Sequence, residues 1–108
     1  MRELSVVITV MNEEENIAPL QEAIRNALGG MDYEVVYVDD GSSDKTREEI
    51  KKHADDRTVL VELRKNYGQS TAMTAGIDHS TGKYVALLDG DLQNDPTDIP
   101  GMLDLLKK

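Results

Sequence analysis

Four apolar runs of strand length alternate with stretches of helical periodicity, and this alternation restricts the fold more than any other feature of the chain. Leu4-Ser5-Val6-Val7-Ile8-Thr9-Val10 is β-branched and almost continuously apolar, which suits a parallel strand buried on both faces better than an alternating one. Asn16 can then cap a helix whose apolar positions Ile17, Leu20, Ile24, Ala27 and Leu28 form one stripe, with Pro19 in its first turn and Gly29-Gly30 ending it. The pattern recurs. Glu34 to Val38 reads as a second strand, followed by a charged helix to about Asp55 with Thr46, Ile50 and Ala54 inward. Thr58 to Leu63 reads as a third strand. The helix from Gln69 to about Ser80 carries Ala72, Met73, Ala75, Gly76 and Ile77 for close packing on the sheet. Tyr84-Val85-Ala86-Leu87-Leu88 is a fourth strand, expected to be buried, and Thr97 or Asp98 caps a last helix with Met102, Leu103 and Leu106.

Strands and helices in this rhythm predict right-handed crossovers and a Rossmann-like α/β fold: a parallel sheet of order 3-2-1-4 with helices on both faces. In such sheets ligands bind outside the carboxyl ends of the strands, where the order reverses, here between the first and fourth strands. Acidic tips fall at that edge. The first strand runs into Met11-Asn12-Glu13-Glu14-Glu15, the second into Asp39-Asp40-Gly41-Ser42, and the fourth into Asp89-Gly90-Asp91-Leu92-Gln93-Asn94-Asp95-Pro96. Two carboxylates separated by one glycine need a shared proton or a cation, and hard divalent ions such as Mg2+ or Mn2+ take oxygen ligands of this kind.

The composition narrows the partners. With 21 Asp and Glu against 12 Lys and Arg, the net charge of -9 disfavours nucleic acid and anionic membranes. Cysteine is absent, so disulfides and thiolate metal sites are excluded. A chain of 108 residues makes one domain. The start at Leu4 resembles no signal peptide and no apolar run reaches membrane-spanning length, so the expectation is a soluble, cytoplasmic domain. Neither GxGxxG nor GxxxxGK[ST] is present to cradle phosphate with backbone amides. A diphosphate at this rim meets carboxylates, and each like-charge pair about 4 Å apart costs on the order of 4 kcal/mol at an effective dielectric near 20. A divalent ion on Asp89 and Asp91 reverses that sign, leaving Glu13 and Asp39 for neutral donors such as ribose hydroxyls and a ring N–H.

Val6 to Glu13, Val38 to Ser42, Arg64-Lys65-Asn66-Tyr67-Gly68 and Leu87 to Pro96 resemble, in order and spacing, the family 2 glycosyltransferases of GT-A fold. The last block is most similar to the subgroup that makes dolichyl- or undecaprenyl-phosphate sugars. The resemblance implies an inverting transfer from a UDP- or GDP-sugar to a polyprenyl phosphate. It implies that Asp39 reads the base N–H, that Glu13 lies near base or ribose, and that Asp89 and Asp91 surround metal and diphosphate. By the same likeness Gln93 is a further metal ligand, Asp91 carries the catalytic role, and Thr9, Met11, Asp89 and Gly90 line the nucleotide. Thr9 and Met11 stand where the family usually has Pro and Tyr, so an aromatic platform for the base is replaced by a thioether. The resemblance also implies that residues 1–108 are the nucleotide-sugar-binding half, inactive without an acceptor half. Two other readings fit the residues alone: phosphoryl transfer through an aspartyl nucleophile, and an assembly module that self-associates through an exposed sheet edge.

Among the other candidates, Asp40 is expected to fix the Gly41-Ser42 turn rather than touch ligand, and Glu14 and Glu15 to favour a helix amino terminus. His53 and His79 are expected on the surface.

Overall fold

The computed structural model describes residues 2–90, 96 and 99–101, with Asp89 described in its backbone alone. Strands β1 (Leu4–Val10), β2 (Tyr33–Asp39), β3 (Thr58–Glu62) and β4 (Tyr84–Asp89) alternate with helices α1 (Ile17–Leu28), α2 (Thr46–His53) and α3 (Gln69–His79). All strand pairings are parallel and the order is β3-β2-β1-β4, as the alternation predicts. Pro100 and Gly101 are helical, while the proposed caps Thr97 and Asp98 and the apolar positions Met102, Leu103 and Leu106 lie outside the described residues.

β1 and β2 are buried along their whole length, which accounts for their unbroken apolar runs. On one face Val6, Ile8, Val10, Val35 and Tyr37 meet Ile17, Leu20, Ile24 and Leu28 of α1 and Ile50 of α2. On the other, Val7, Val36 and Val38 pack against Ala72 of α3. Each fully buried Ile, Leu or Val contributes about 1.5–3 kcal/mol relative to exposure. α3 comes this close because Gly76 lacks a side chain: a Cβ there would sit 2.3 Å from Val7 Cγ1.

Three local expectations are corrected. Asn16 precedes α1 but makes no capping bond; its Nδ2 donates instead to Glu13 Oε2 at 2.6 Å. Glu14 and Glu15 lie in the turn just before α1, on the amino-terminal side where their charge was expected. Ala54 and Ile77 are exposed: α2 ends at His53, and Ile77 lies on the outer side of α3. β4 is not buried throughout, since α3 covers β1 and β2 and leaves Val85 and Leu87 at 40% and 45% exposure. An apolar run alone does not distinguish a strand covered on both faces from one covered on one.

Candidate functional site

The parallel register brings three strand tips to one edge. Val10 pairs with Asp39, and Thr9 with both Val38 and Asp89. Past the ends, Gly90 N donates to Thr9 O at 3.1 Å and Asp40 N to Val10 O at 2.9 Å. Between these turns opens a cleft of about 270 Å3 lined by Thr9, Val10, Met11, Glu13, Asp40, Gln69 and Gly90. Thr9, Met11, Glu13 and Gly90 were expected there from sequence. Gly90 belongs there for space, since a Cβ would meet Val10 Cγ1 at 2.7 Å and Thr9 O at 3.2 Å.

Glu13 is held from two sides. Its N–H donates to Thr46 Oγ1 at 2.8 Å, and its Oε2 accepts from Asn16. Thr46 is fixed in turn by Asp44, whose Oδ1 accepts from Thr46 N at 2.9 Å and Thr46 Oγ1 at 2.5 Å. Burial raises the Asp44 carboxyl, but the bonds from Thr46 and the Glu14 N–H together hold it below the usual aspartate range. Met11 is partly exposed at the mouth, and Asn66 Nδ2 approaches its Sδ at 3.3 Å.

Asp39 is placed differently. Its side chain is fully buried, it is not among the residues lining the cleft, and its oxygens already accept from the Ser42 N–H, the Ser42 hydroxyl and Arg47 Nε. Asp40 serves structure, as expected, but through another partner: its oxygens accept from Tyr67 N at 2.8 Å and Gly68 N at 3.1 Å, fixing the segment after β3. Gly41 packs against the same segment at φ +80°, where a Cβ would lie 2.6 Å from Asn66 N. His53 and His79 lie outside the cleft; His53 faces Glu49 at 3.8 Å, and the His79 ring bonds Ala75 O of its own helix.

Asp91 and Gln93 lie outside the described residues, as does the side chain of Asp89. Among the described residues no group of three acidic or histidine side chains is placed to hold a metal. The cleft's two described carboxylates are Glu13 and Asp40, and both Asp40 oxygens and one Glu13 oxygen accept hydrogen bonds from the protein. The oxygen donors that would suit a cation are those of Asp89, Asp91 and Gln93. Among the described residues no helix is long and apolar enough to cross a membrane.

Sequence reasoning missed Val10, Asp40 and Gln69 as lining residues and Arg47 as the partner of Asp39. Gln69 was legible in principle, because the first residue of a helix that follows a strand in a parallel sheet opens onto the strand ends.

Comparison with known proteins agrees with this architecture. The family model described as "Glycosyl transferase family 2" matches residues 5–108. The dodecaprenyl-phosphate galacturonate synthase of Rhizobium johnstonii is 42% identical over 98% of this chain and 33% of its own length. The undecaprenyl-phosphate 4-deoxy-4-formamido-L-arabinose transferase of Edwardsiella ictaluri is 42% identical over 94% of this chain and 33% of its own. The chain thus spans about a third of these relatives. Among solved structures, the mannosyltransferase PcManGT of Pyrobaculum calidifontis, in complex with GDP-Man and Mn2+, superposes with a TM-score of 0.81 at 25% identity, over 98% of this chain and 32% of that one. A strand order of β3-β2-β1-β4, a cleft at its reversal point and a match over almost the whole length converge: the chain belongs to glycosyl transferase family 2.

Proposed function

We propose that this chain is the nucleotide-sugar-binding part of a longer glycosyltransferase that moves a sugar from a UDP- or GDP-sugar to a polyprenyl phosphate, with inversion at the anomeric carbon. The observation that carries the reading is the cleft at the ends of β1 and β4, which gathers Thr9, Met11, Glu13 and Gly90. Thr9 and Met11 flank the base, Asp39 accepts its ring N–H from behind the cleft, Glu13 takes ribose or base donors, and Gly90 lets the diphosphate approach the backbone. A divalent cation, Mg2+ or Mn2+, is held by Asp89, Asp91 and Gln93. Its chemistry is to neutralise the charge that develops on the departing diphosphate, and Asp91 is the residue on which turnover depends most. Two likenesses support this reading: relatives named for polyprenyl-phosphate products or acceptors, and a mannosyltransferase bound to GDP-Man and Mn2+. A polyprenyl phosphate brings an oxygen that is already anionic, so the acceptor side demands no strong general base.

Calorimetric titration of UDP- and GDP-sugars with Mn2+, repeated after chelation, tests the proposal. Binding is expected to vanish in chelator and in Asp91→Ala; tight binding in chelator would contradict the cation bridge. Family membership displaces phosphoryl transfer through an aspartyl nucleophile. Association of copies retains one favourable observation, the exposed Val85 and Leu87 beside the β4 edge.

A further inference from the structure

We infer that Arg47 is a positioning residue for nucleotide recognition. It is the fixed partner of Asp39, whereas the Ser42 hydroxyl is an exchangeable cover that a ring N–H of the base replaces. The inference rests on the proposed reading of Asp39 as the base acceptor and adds how that acceptor is held ready.

Asp39 presents an apparent obstacle. A carboxylate offers about four lone-pair positions. At Asp39 these face the Ser42 N–H, shared between both oxygens at 3.3 and 3.4 Å, the Ser42 hydroxyl on Oδ1 and Arg47 Nε on Oδ2. The side chain is fully buried, so an incoming donor has to take an occupied place. The two side-chain donors differ in how firmly they are held. Arg47 is anchored twice, because its Nη2 also donates to Leu63 O at 2.6 Å, at the end of β3. Leu63 is itself tied to β2, its N–H donating to Asp39 O at 3.0 Å. Arg47, Asp39 and Leu63 therefore close a ring across the tips of β2 and β3, and swinging the guanidinium away breaks two bonds and leaves a buried carboxylate without its cation. The Ser42 hydroxyl is one rotor. It accepts from the Asn12 N–H at 2.9 Å and keeps that bond when its own hydrogen turns elsewhere.

A ring N–H arriving at Oδ1 thus replaces the Ser42 hydroxyl and restores the same number of hydrogen bonds, while Arg47 holds Asp39 oriented from the far side. Lysine cannot copy this arrangement, because a single ammonium lacks the planar fork that engages Asp39 and the Leu63 carbonyl at fixed geometry.

The test compares UDP and GDP with analogues methylated at the ring nitrogen that carries the hydrogen, titrated in Mn2+ into wild type, Arg47→Ala and Arg47→Lys, with folding checked by circular dichroism. Wild type is expected to prefer the unmethylated form of its nucleotide by roughly tenfold or more, the value of one charge-assisted hydrogen bond. In Arg47→Ala that preference falls to near unity, and Arg47→Lys recovers part of it. Loss of general packing would weaken both ligands equally and leave the ratio unchanged, so a folded Arg47→Ala with the wild-type ratio overturns the inference. If Arg47→Ala does not fold, Arg47→Lys decides: a lowered ratio supports the assignment and a wild-type ratio overturns it. Failure of wild type to bind either nucleotide, or to distinguish the methylated form, would instead strike the underlying reading of Asp39.

Discussion

β2 carries a buried acid near each end, and the two are treated in opposite ways. Glu34, at the amino-terminal end of the sheet, accepts from Ser5 Oγ at 2.5 Å, Thr81 N at 2.6 Å and Thr81 Oγ1 at 3.0 Å, and Ser5 Oγ in turn accepts from Gly82 N at 2.7 Å. This network stitches the turn before β4 to β1 and β2. Asp39, at the carboxyl-terminal end, is neutralised by an arginine and covered by a serine rotor beside an open cleft. Burial of an acid is therefore no mark of function. What separates the two ends is that the donors to Glu34 hold chain segments together, whereas one donor to Asp39 can be exchanged without unpicking the fold.

The largest expected effect comes from forcing the functional end to behave like a packed one. Gly41→Ala places a side chain at φ +80° and 2.6 Å from both Lys65 C and Asn66 N, backbone atoms that cannot rotate aside. Backbone strain and overpacking together should destabilise the chain by about 3 kcal/mol in urea unfolding. A change below about 0.5 kcal/mol would mean that the segment after β3 yields easily and that the rim is not a rigid frame.

Next comes the structural end. Burial raises the Glu34 carboxyl, but the bonds from Ser5 and Thr81 outweigh it, with a smaller contribution from Arg2, and hold it below the ordinary glutamate range. A depressed folded-state pKa contributes stability that is present above the unfolded value, about pH 4–5, and is lost as pH falls through the folded value. All three donors reach the same oxygen, Oε2, so Glu34→Gln can keep them on its amide oxygen but makes each a neutral bond, costing about 2 kcal/mol at neutral pH. The variant should also lose part of the acid limb of the stability profile below about pH 4.5. An unchanged acid limb, measured by urea unfolding across pH 3–7, would remove Glu34 from the account.

This pairing also shows how far the sequence could be read. Alternation of strand and helix sufficed for topology, because parallel strands buried on both faces leave unbroken apolar runs, as in β1 and β2. Strand ends then located Met11, Glu13 and Gly90 at the cleft, and Thr9 came with the family resemblance. The partners of the acids were not legible. Arg47 lies eight residues beyond Asp39, Thr81 lies 47 beyond Glu34, and such pairs meet only once the register is set. Exposure failed for a related reason. Val85 and Leu87 read as core because hydrophobicity is local, whereas coverage depends on where α3 lies, over β1 and β2.

A smaller effect is expected at Asp40, which works for the rim without the exchangeable role assigned to Asp39. Asp40→Asn leaves one oxygen to accept and turns an amide N–H toward Tyr67 N or Gly68 N. Stability should fall by about 1 kcal/mol, and the Tyr67 and Gly68 amides should exchange with solvent roughly tenfold faster, while Thr81 stays protected. Acceleration at both ends of the sheet alike would erase the distinction between them.

The smallest effect is expected where neither end is involved. Leu87 stands in register beside Val7, yet Val7 lies under α3 and Leu87 does not. Leu87→Thr keeps a β-compatible side chain on a face that is nearly half exposed, so stability should move by less than about 0.5 kcal/mol, the usual range for surface positions. The same substitution sharpens the question of self-association. If copies pair through the β4 side, Thr at this position removes apolar contact from the shared face, and sedimentation should shift toward the single chain as protein concentration is lowered sooner than it does for wild type. Identical sedimentation and unchanged stability would leave this face free of any partner copy, and the two ends of β2 as the places where the chain's buried acids act.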